Sequence, residues 1–291
     1  MNVRIWLQAG RPKTLGAAVA PVIIGSAMAY ADKSFHAPSS LLALVGAVLI
    51  QVGTNYANDY FDYKHGADAR GRLGPLRATQ AGIVAPKAMK RAFLMAFAGA
   101  AAAGIYLIAR GGFPILIIGI LSIICGILYT GGNYPLAYYG LGDIFVLVFF
   151  GPVAVGGTYY VQSLTINWLV IAMGLIPGLI SVAILTVNNL RDIETDKNAG
   201  KRTVAVRFGR RYTRFQYLFF VMLACFVPLF MFIYTGVRPF SLISCCSILF
   251  AVKPIKTVFQ DSAGAELNQT LAETSLLNIV MSILFSIGWI L

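Results

Sequence analysis

Asn55–Asp68 reads NYANDYFDYKHGAD; an apolar run precedes it and a basic segment follows. If the helix that begins near Ser39 continues through Asp62, residues three and four apart share a face. Asn55, Asn58, Asp59 and Asp62 then form one stripe at the helix end. Two carboxylates one turn apart repel each other unless a cation sits between them. The two amides beside them add neutral oxygens and N–H donors. Such an oxygen-rich cluster suits a hard cation such as Mg²⁺.

A second stretch repeats the pattern. Asn188–Asp196 reads NNLRDIETD at the end of another apolar run. Asn188 and Asp192 copy the step from Asn55 to Asp59, and Asp196 lies one turn further. The spacing leaves open both an internal repeat of four-helix units and two unrelated sites. Asp59, Asp62, Asp68, Asp192, Glu194 and Asp196 make up more than half of the 11 acidic residues. Interfacial solvation would explain scattered carboxylates. Concentration in two like-built stripes favours function, because ionisable groups at membrane depth are costly.

The surroundings are those of a membrane. The chain is 58% hydrophobic and 12% charged, whereas a soluble domain carries about 25% charged residues. Apolar runs recur at 14–31, 39–61, 92–109, 113–130, 143–162, 167–190, 215–235, 239–252 and 270–291. The expectation is an all-α polytopic membrane protein with nine transmembrane helices, forming a single domain over 1–291. Residues 14–31 are read as an uncleaved first span. The alternation of a β-barrel is absent. With the N-terminus cytoplasmic, all Lys and Arg except Lys33, Arg110 and Arg238 fall on the cytoplasmic side. Both acidic stripes fall there too. The net charge of +12 then reflects topology and attraction to anionic membrane lipids, not nucleic acid.

The four cysteines lie in apolar runs without a CxxC, and the only histidines are His36 and His65. Small apolar packing is expected of the former, and a His-rich metal site is excluded. Pro21, Pro152 and Pro177 lie inside spans and predict kinks or local widening. Ala98–Gly104 (AGAAAAG) suits close helix packing or, alternatively, a groove for a lipid tail.

Basic loops adjoin both stripes, at 62–91 and 191–214. Lys64, Arg72 and Arg77 follow the first stripe; Lys197, Lys201 and Arg202 follow the second. Carboxylates, Mg²⁺ and cationic side chains around one cavity make a diphosphate site. At a membrane surface the fitting ligand is a polyprenyl diphosphate, with its tail in lipid and its head in the polar cavity. Metal and cations would neutralise the departing diphosphate, and an electron-rich partner would capture the allylic cation.

Here NDYFDYKHGAD and DIETD resemble the two Asp-rich motifs of the UbiA-type intramembrane prenyltransferases. The resemblance covers nearly the whole chain and includes Arg11-Pro12-Lys13-Thr14. Arg72–Gly82 (RLGPLRATQAG), Tyr138–Gly151 (YYGLGDIFVLVFFG) and Asn188–Gly209 (NNLRDIETDKNAGKRTVAVRFG) look like the members that prenylate 1,4-dihydroxy-2-naphthoate. Phytyl-transferring relatives share much of this pattern.

The resemblance implies helices around a central cavity open sideways to lipid, in a cell (inner) membrane, with the active site facing the cytoplasm. It implies that Asp59, Asp62, Asp192 and Asp196 hold Mg²⁺–diphosphate, supported by Asn55 and Asn188, with a diphosphate contact at Arg11. Asp68 matches the last acidic position of the first motif. Many members carry a basic residue near the start of the fifth span, where this chain has Tyr138, Tyr139 and then Asp143. Part of the diphosphate grip or the acceptor contact therefore differs, and Asn58, Tyr139 and Asp143 are candidates for the cavity. Tyr129 would end the fourth span facing the cavity and shield a carbocation, or serve as an interfacial aromatic. The implied reaction attacks the carboxyl-bearing ring carbon and loses CO₂, so that carbon needs no base. Asp62 or Asp68 remain candidates to deprotonate a phenol. The rivals are an ion-coupled transporter, whose sites lie near the midplane, a non-catalytic lipid-binding protein, and a prenyltransferase for another aromatic acceptor.

Overall fold

The computed structural model describes residues 3–66, 74, 77–260 and 264–291; Asp68 and Arg72 lie outside them. Among the described residues the regular structure is entirely helical. A short helix, α1 (Val3–Ala9), ends at Gly10. A tight turn over Pro12–Thr14 leads into α2 (Gly16–Ala31), and the chain bends by 56° between the two. His36 opens α3 (Ala37–Lys64) by accepting the Ser39 N–H at Nδ1. α4 (Pro86–Gly111) has proline in its first turn, where the missing N–H costs nothing, and stops at Gly112 (φ 68). α5 (Phe113–Leu128) follows at once.

The fifth apolar run holds α6 (Gly142–Val148), a wide turn over Phe149–Val153 and α7 (Ala154–Ser163). The break falls at Gly151 (φ −112, ψ −110) and Pro152. The sixth run holds α8 (Trp168–Met173) and α9 (Leu175–Arg191). Then come α10 (Ile193–Asn198) and α11 (Val204–Thr235), the latter kinked at Gly209 (φ 79). A tight turn over Pro239–Ser247 leads into α12 (Ile248–Phe259), and α13 (Gly264–Ile290) closes the fold.

Seven helical segments among the described residues are long and apolar enough to cross a membrane, and the bent N-terminal pair makes an eighth. The chain is thus a multi-pass membrane protein. α5, with 16 residues, spans about 24 Å and falls short of a ~30 Å hydrocarbon core. The basic loop expected over 191–214 is largely helical, because α10 and α11 occupy most of it. Of the three prolines expected to kink their spans, Pro152 coincides with a break. Pro21 sits within α2, and Pro177 lies in the first turn of α9, where proline is tolerated.

The helix carrying the second acidic stripe is central: 78% of the most apolar window of Trp168–Arg191 is buried, against 17% for Ala37–Lys64. Ile176, Ile180 and Val187 pack with Tyr217, Leu277, Met281 and Phe285. Glycine permits the closest crossing. A Cβ on Gly151 would stand 2.7 Å from the Gly174 carbonyl oxygen, and one on Gly178 would stand 2.8 Å from that of Leu147. The two broken spans therefore touch backbone to backbone. Beside them an apolar cavity of about 450 Å³ opens, walled by α2, α3, α4, α5 and the fifth and sixth runs. Ala100, Ala101 and Gly104 face it, so the small-residue stretch of α4 contributes a groove, while Gly99 meets Leu49 in close packing.

Candidate active site

The helix carrying the first stripe extends to Lys64, which keeps Asn55, Asn58, Asp59 and Asp62 on one buried face. Asn55 reaches sideways: its Nδ2 donates to the Gly10 carbonyl at 2.9 Å and to Thr14 Oγ1 at 3.3 Å. Asn58 Oδ1 accepts from Thr130 Oγ1 at 2.7 Å. Asp59 accepts the backbone N–H groups of Ala78 (3.0 Å, at Oδ2) and Thr79 (3.1 Å, at Oδ1). It thus fastens the turn from Arg77 to Gly82 onto α3. Asp62 is fully buried and ion-paired with Arg77 at Oδ2 and with Lys201 at Oδ1, the latter at 3.1 Å.

Lys201 joins the two stripes. Its Nζ also lies 3.7 Å from Asp196 Oδ1 and 5.2 Å from the ring centre of Tyr138. The turn that delivers it is closed by the Lys201 N–H on the Asp196 carbonyl and by Gly200 at φ 73. Asp192 stands where α9 yields to α10 and takes a two-pronged bond from Arg191, Nε to Oδ1 at 2.8 Å and NH2 to Oδ2 at 2.6 Å. The same guanidinium donates to Asn188 Oδ1 and to Asn268 Oδ1 on α13, each at 2.7 Å.

Asp59, Asp62, Asp192 and Asp196 are all buried, and a buried carboxylate needs a charge partner or hydrogen bonds. Each has one in basic side chains or backbone amides. Among the described residues no group of three or more His, Cys, Asp or Glu side chains converges on one point. The donor set nevertheless fits Mg²⁺ in kind. It offers hard carboxylate and amide oxygens, and the Lys201 ammonium marks a cationic position between Asp62 and Asp196.

Arg11, Asn55, Asn58, Tyr129 and Asn188 line the polar part of the cavity. Asp59, Asp62, Asp192 and Asp196 are not among the residues on that wall. Of the expected basic residues, Arg77 and Lys201 are buried in the site, whereas Lys64, Lys197 and Arg202 are exposed. Tyr139 is also exposed; its carbonyl accepts from Arg207 and its ring meets Tyr134. Its neighbour Tyr138 is the one that meets Lys201. Asp143 accepts from Gln216 and is not on the cavity wall. Sequence reasoning missed Arg191, Asn268, Thr130 and Tyr138. Arg191 had a signal, since it stands directly before Asp192; Asn268 had none.

Residues 18–281 match the UbiA prenyltransferase family. The 1,4-dihydroxy-2-naphthoate octaprenyltransferase of Haemophilus influenzae is 36% identical over 99% of this chain and 96% of its own length. The enzyme of the same name in Escherichia coli is 43% identical over 72% of each chain. Among solved structures, a UbiA homolog from Archaeoglobus fulgidus bound to DMAPP and Mg²⁺ superposes with a TM-score of 0.67. It is 13% identical, over 97% of this chain and 99% of that one, and shows the fold alone. With a family match across most of its length, and with Asn55, Asn58 and Asn188 of the two stripes lining one cavity, the chain belongs to the UbiA prenyltransferase family.

Proposed function

We propose that the protein transfers a polyprenyl group from polyprenyl diphosphate to 1,4-dihydroxy-2-naphthoate. CO₂ and diphosphate are lost and demethylmenaquinol is formed. The relatives of that name support the acceptor. The observation that carries the reading is the Lys201 bridge between Asp62 and Asp196, which joins two acidic motifs whose Asn55, Asn58 and Asn188 line an apolar cavity. The tail lies in that cavity and the head at the ionic network. Asp59, Asp62, Asp192 and Asp196, with Asn55 and Asn188, would hold Mg²⁺. When bound, the metal supplies Lewis-acid neutralisation of the departing diphosphate. Arg77 and Lys201 add fixed positive charge in a dry site, where it acts most strongly. Tyr129, a neutral phenol on the cavity wall, offers its π face to the allylic cation.

The protein acts as a single domain of nine spans, α5 being the ninth. Its N-terminus and active site face the cytoplasm, in a cell (inner) membrane. The one-sided placement of Lys and Arg supports this orientation.

The test uses purified protein in lipid nanodiscs with Mg²⁺, labelled polyprenyl or phytyl diphosphate, and 1,4-dihydroxy-2-naphthoate. Equal, EDTA-sensitive yields of prenylated naphthoquinol, CO₂ and diphosphate are expected. Diphosphate release without prenylated naphthoquinol would discard the acceptor. No release from folded protein with any prenyl donor would overturn the reaction.

A further inference from the structure

Along much of α13 every fourth residue is polar: Thr270, Thr274, Asn278, Ser282 and Ser286. A step of four keeps them on one face, and all five are buried. They share the helix with Leu277, Met281 and Phe285, which pack with Ile176 and Ile180 in the core. A helical backbone satisfies itself in such surroundings, but a polar side chain needs a partner of its own or costs free energy. Thr270 Oγ1 donates to the Glu266 carbonyl at 3.0 Å. Thr274 Oγ1 donates to the Thr270 carbonyl at 2.8 Å and lies 2.8 Å from the Tyr217 hydroxyl. Ser286 Oγ reaches the Ile23 carbonyl on α2 at 3.5 Å.

The two middle members differ. Asn278 Nδ2 donates to Ser181 Oγ at 3.3 Å and to the Pro177 carbonyl at 3.5 Å. Chemistry fixes which end of the amide faces them. Ser181 Oγ gives its own hydrogen to the Pro177 carbonyl at 2.7 Å, so both neighbours can only accept, and the nitrogen must face them. Asn278 Oδ1 is thereby directed away, and it has no hydrogen-bond partner among the described residues. One turn further, Ser282 Oγ has none either. Both residues are fully buried. One helical turn sets their Cβ atoms about 5–6 Å apart, close to twice a hydroxyl–oxygen hydrogen bond of about 2.7–2.8 Å. An acceptor-only oxygen and a hydroxyl at that spacing suit a small neutral molecule that both donates and accepts.

We propose that Asn278 Oδ1 and Ser282 Oγ bind a buried water molecule within the helix bundle. The water donates one hydrogen to Asn278 Oδ1 and accepts the hydrogen of Ser282 Oγ, which gives it two of the partners that a buried water requires. Ser181 lines the cavity, whereas Asn278 and Ser282 do not, so such a water binds whatever substrate the cavity takes. Its place in the fold gives it a task. Pro177, in the first turn of α9, has no N–H to donate, and Asn278 ties its carbonyl to the last helix. The water completes that tie where α8 gives way to α9, the helix that leads to Asn188 and Asp192.

The experiment has two readouts. The first is a structure of the full chain at a resolution that shows ordered water. Density within hydrogen-bond distance of both Asn278 Oδ1 and Ser282 Oγ is expected. A dry contact there, or Ser282 Oγ turned onto the Asn278 backbone carbonyl, would overturn the proposal. The second is the melting temperature in detergent of wild type, Ser282→Ala, Asn278→Leu and the double variant. With the water in place, Ser282→Ala takes away one of its few partners and should lower the melting temperature by about 2–4 °C. Without it, the same change only removes an unsatisfied hydroxyl, and an unchanged or raised melting temperature would refute the site. The double variant should lose less than the two single losses together, because no group is left waiting for the water. Additive losses would show that the two side chains share no ligand. Ser282→Ala carries the comparison if Asn278→Leu does not fold.

Discussion

Lys201 Nζ lies 3.1 Å from Asp62 Oδ1, across 139 residues of sequence. Both side chains are almost wholly buried. Truncating one member of a buried pair leaves the other charge uncompensated, at a cost of about 3–5 kcal/mol. Lys201→Ala is therefore expected to melt earlier than wild type in detergent without divalent metal. Added Mg²⁺ should recover more of the loss in the variant than it adds to wild type, because a cation can then replace the ammonium between Asp62 and Asp196. Equal metal-induced shifts in the two proteins would count against that shared position.

Asp59 has two tasks on this geometry. It is a proposed metal ligand, and it holds the amides of Ala78 and Thr79. Asp59→Ala is expected to abolish turnover and to release the turn that follows Arg77. Trypsin should then cut after Arg77 faster than in wild type, where that side chain is buried. Unchanged cleavage kinetics would remove the fastening role, and near-normal turnover would remove the metal assignment.

Arg191 presents a fork to Asp192 while reaching Asn188 and Asn268. A lysine keeps the charge but cannot match that geometry. Arg191→Lys should lower turnover about tenfold or more and raise the Mg²⁺ concentration needed for half-maximal rate, and Arg191→Ala should do worse. Identical metal dependence in Arg191→Lys and wild type would leave Arg191 with a purely structural role.

Gly104 lines the cavity, and a Cβ placed there meets nothing within 4 Å. Gly104→Leu should fold, helped by about 0.8–1 kcal/mol of helix propensity. It should project into the space proposed for the prenyl tail. The ratio of kcat/KM for a long donor to that for a short one is expected to fall. An unchanged ratio would place the tail elsewhere.

The all-helical membrane architecture and the shared face of the first acidic stripe were legible because both rest on local periodicity, whereas the count of nine spans exceeds the seven or eight that are long and apolar enough among the described residues. Apolar runs mark spans, and a spacing of three and four fixes a face, as at Asn55, Asn58, Asp59 and Asp62. What pairs with those carboxylates was not legible. Asp62 meets Lys201, and Arg191 meets Asn268, through helices packed far apart in sequence, and no spacing rule encodes such meetings. The choice of Tyr138 over Tyr139 depended on a single tight turn, Leu136–Tyr139, that rotates one ring toward Lys201 and the other outward. The second basic loop was misjudged because its charges masked a helical backbone. Thr203 caps α11 by accepting the Val206 N–H, and the arginines after it lie on that helix.

The bond from Arg191 to Asn268 also sets an order of assembly. A ribosome adding about 5–20 residues per second makes Asp62 roughly 7–28 s before Lys201, and Asn268 roughly 3–13 s later still. Until then the first acidic motif has Arg77 but no ammonium, and the second has its arginine but no anchor on the last helix. A chain cut short before α13 would carry both motifs and still lack the finished constellation. Completion of the site thus reports that the helix carrying Asn268 has been made and packed against Arg191.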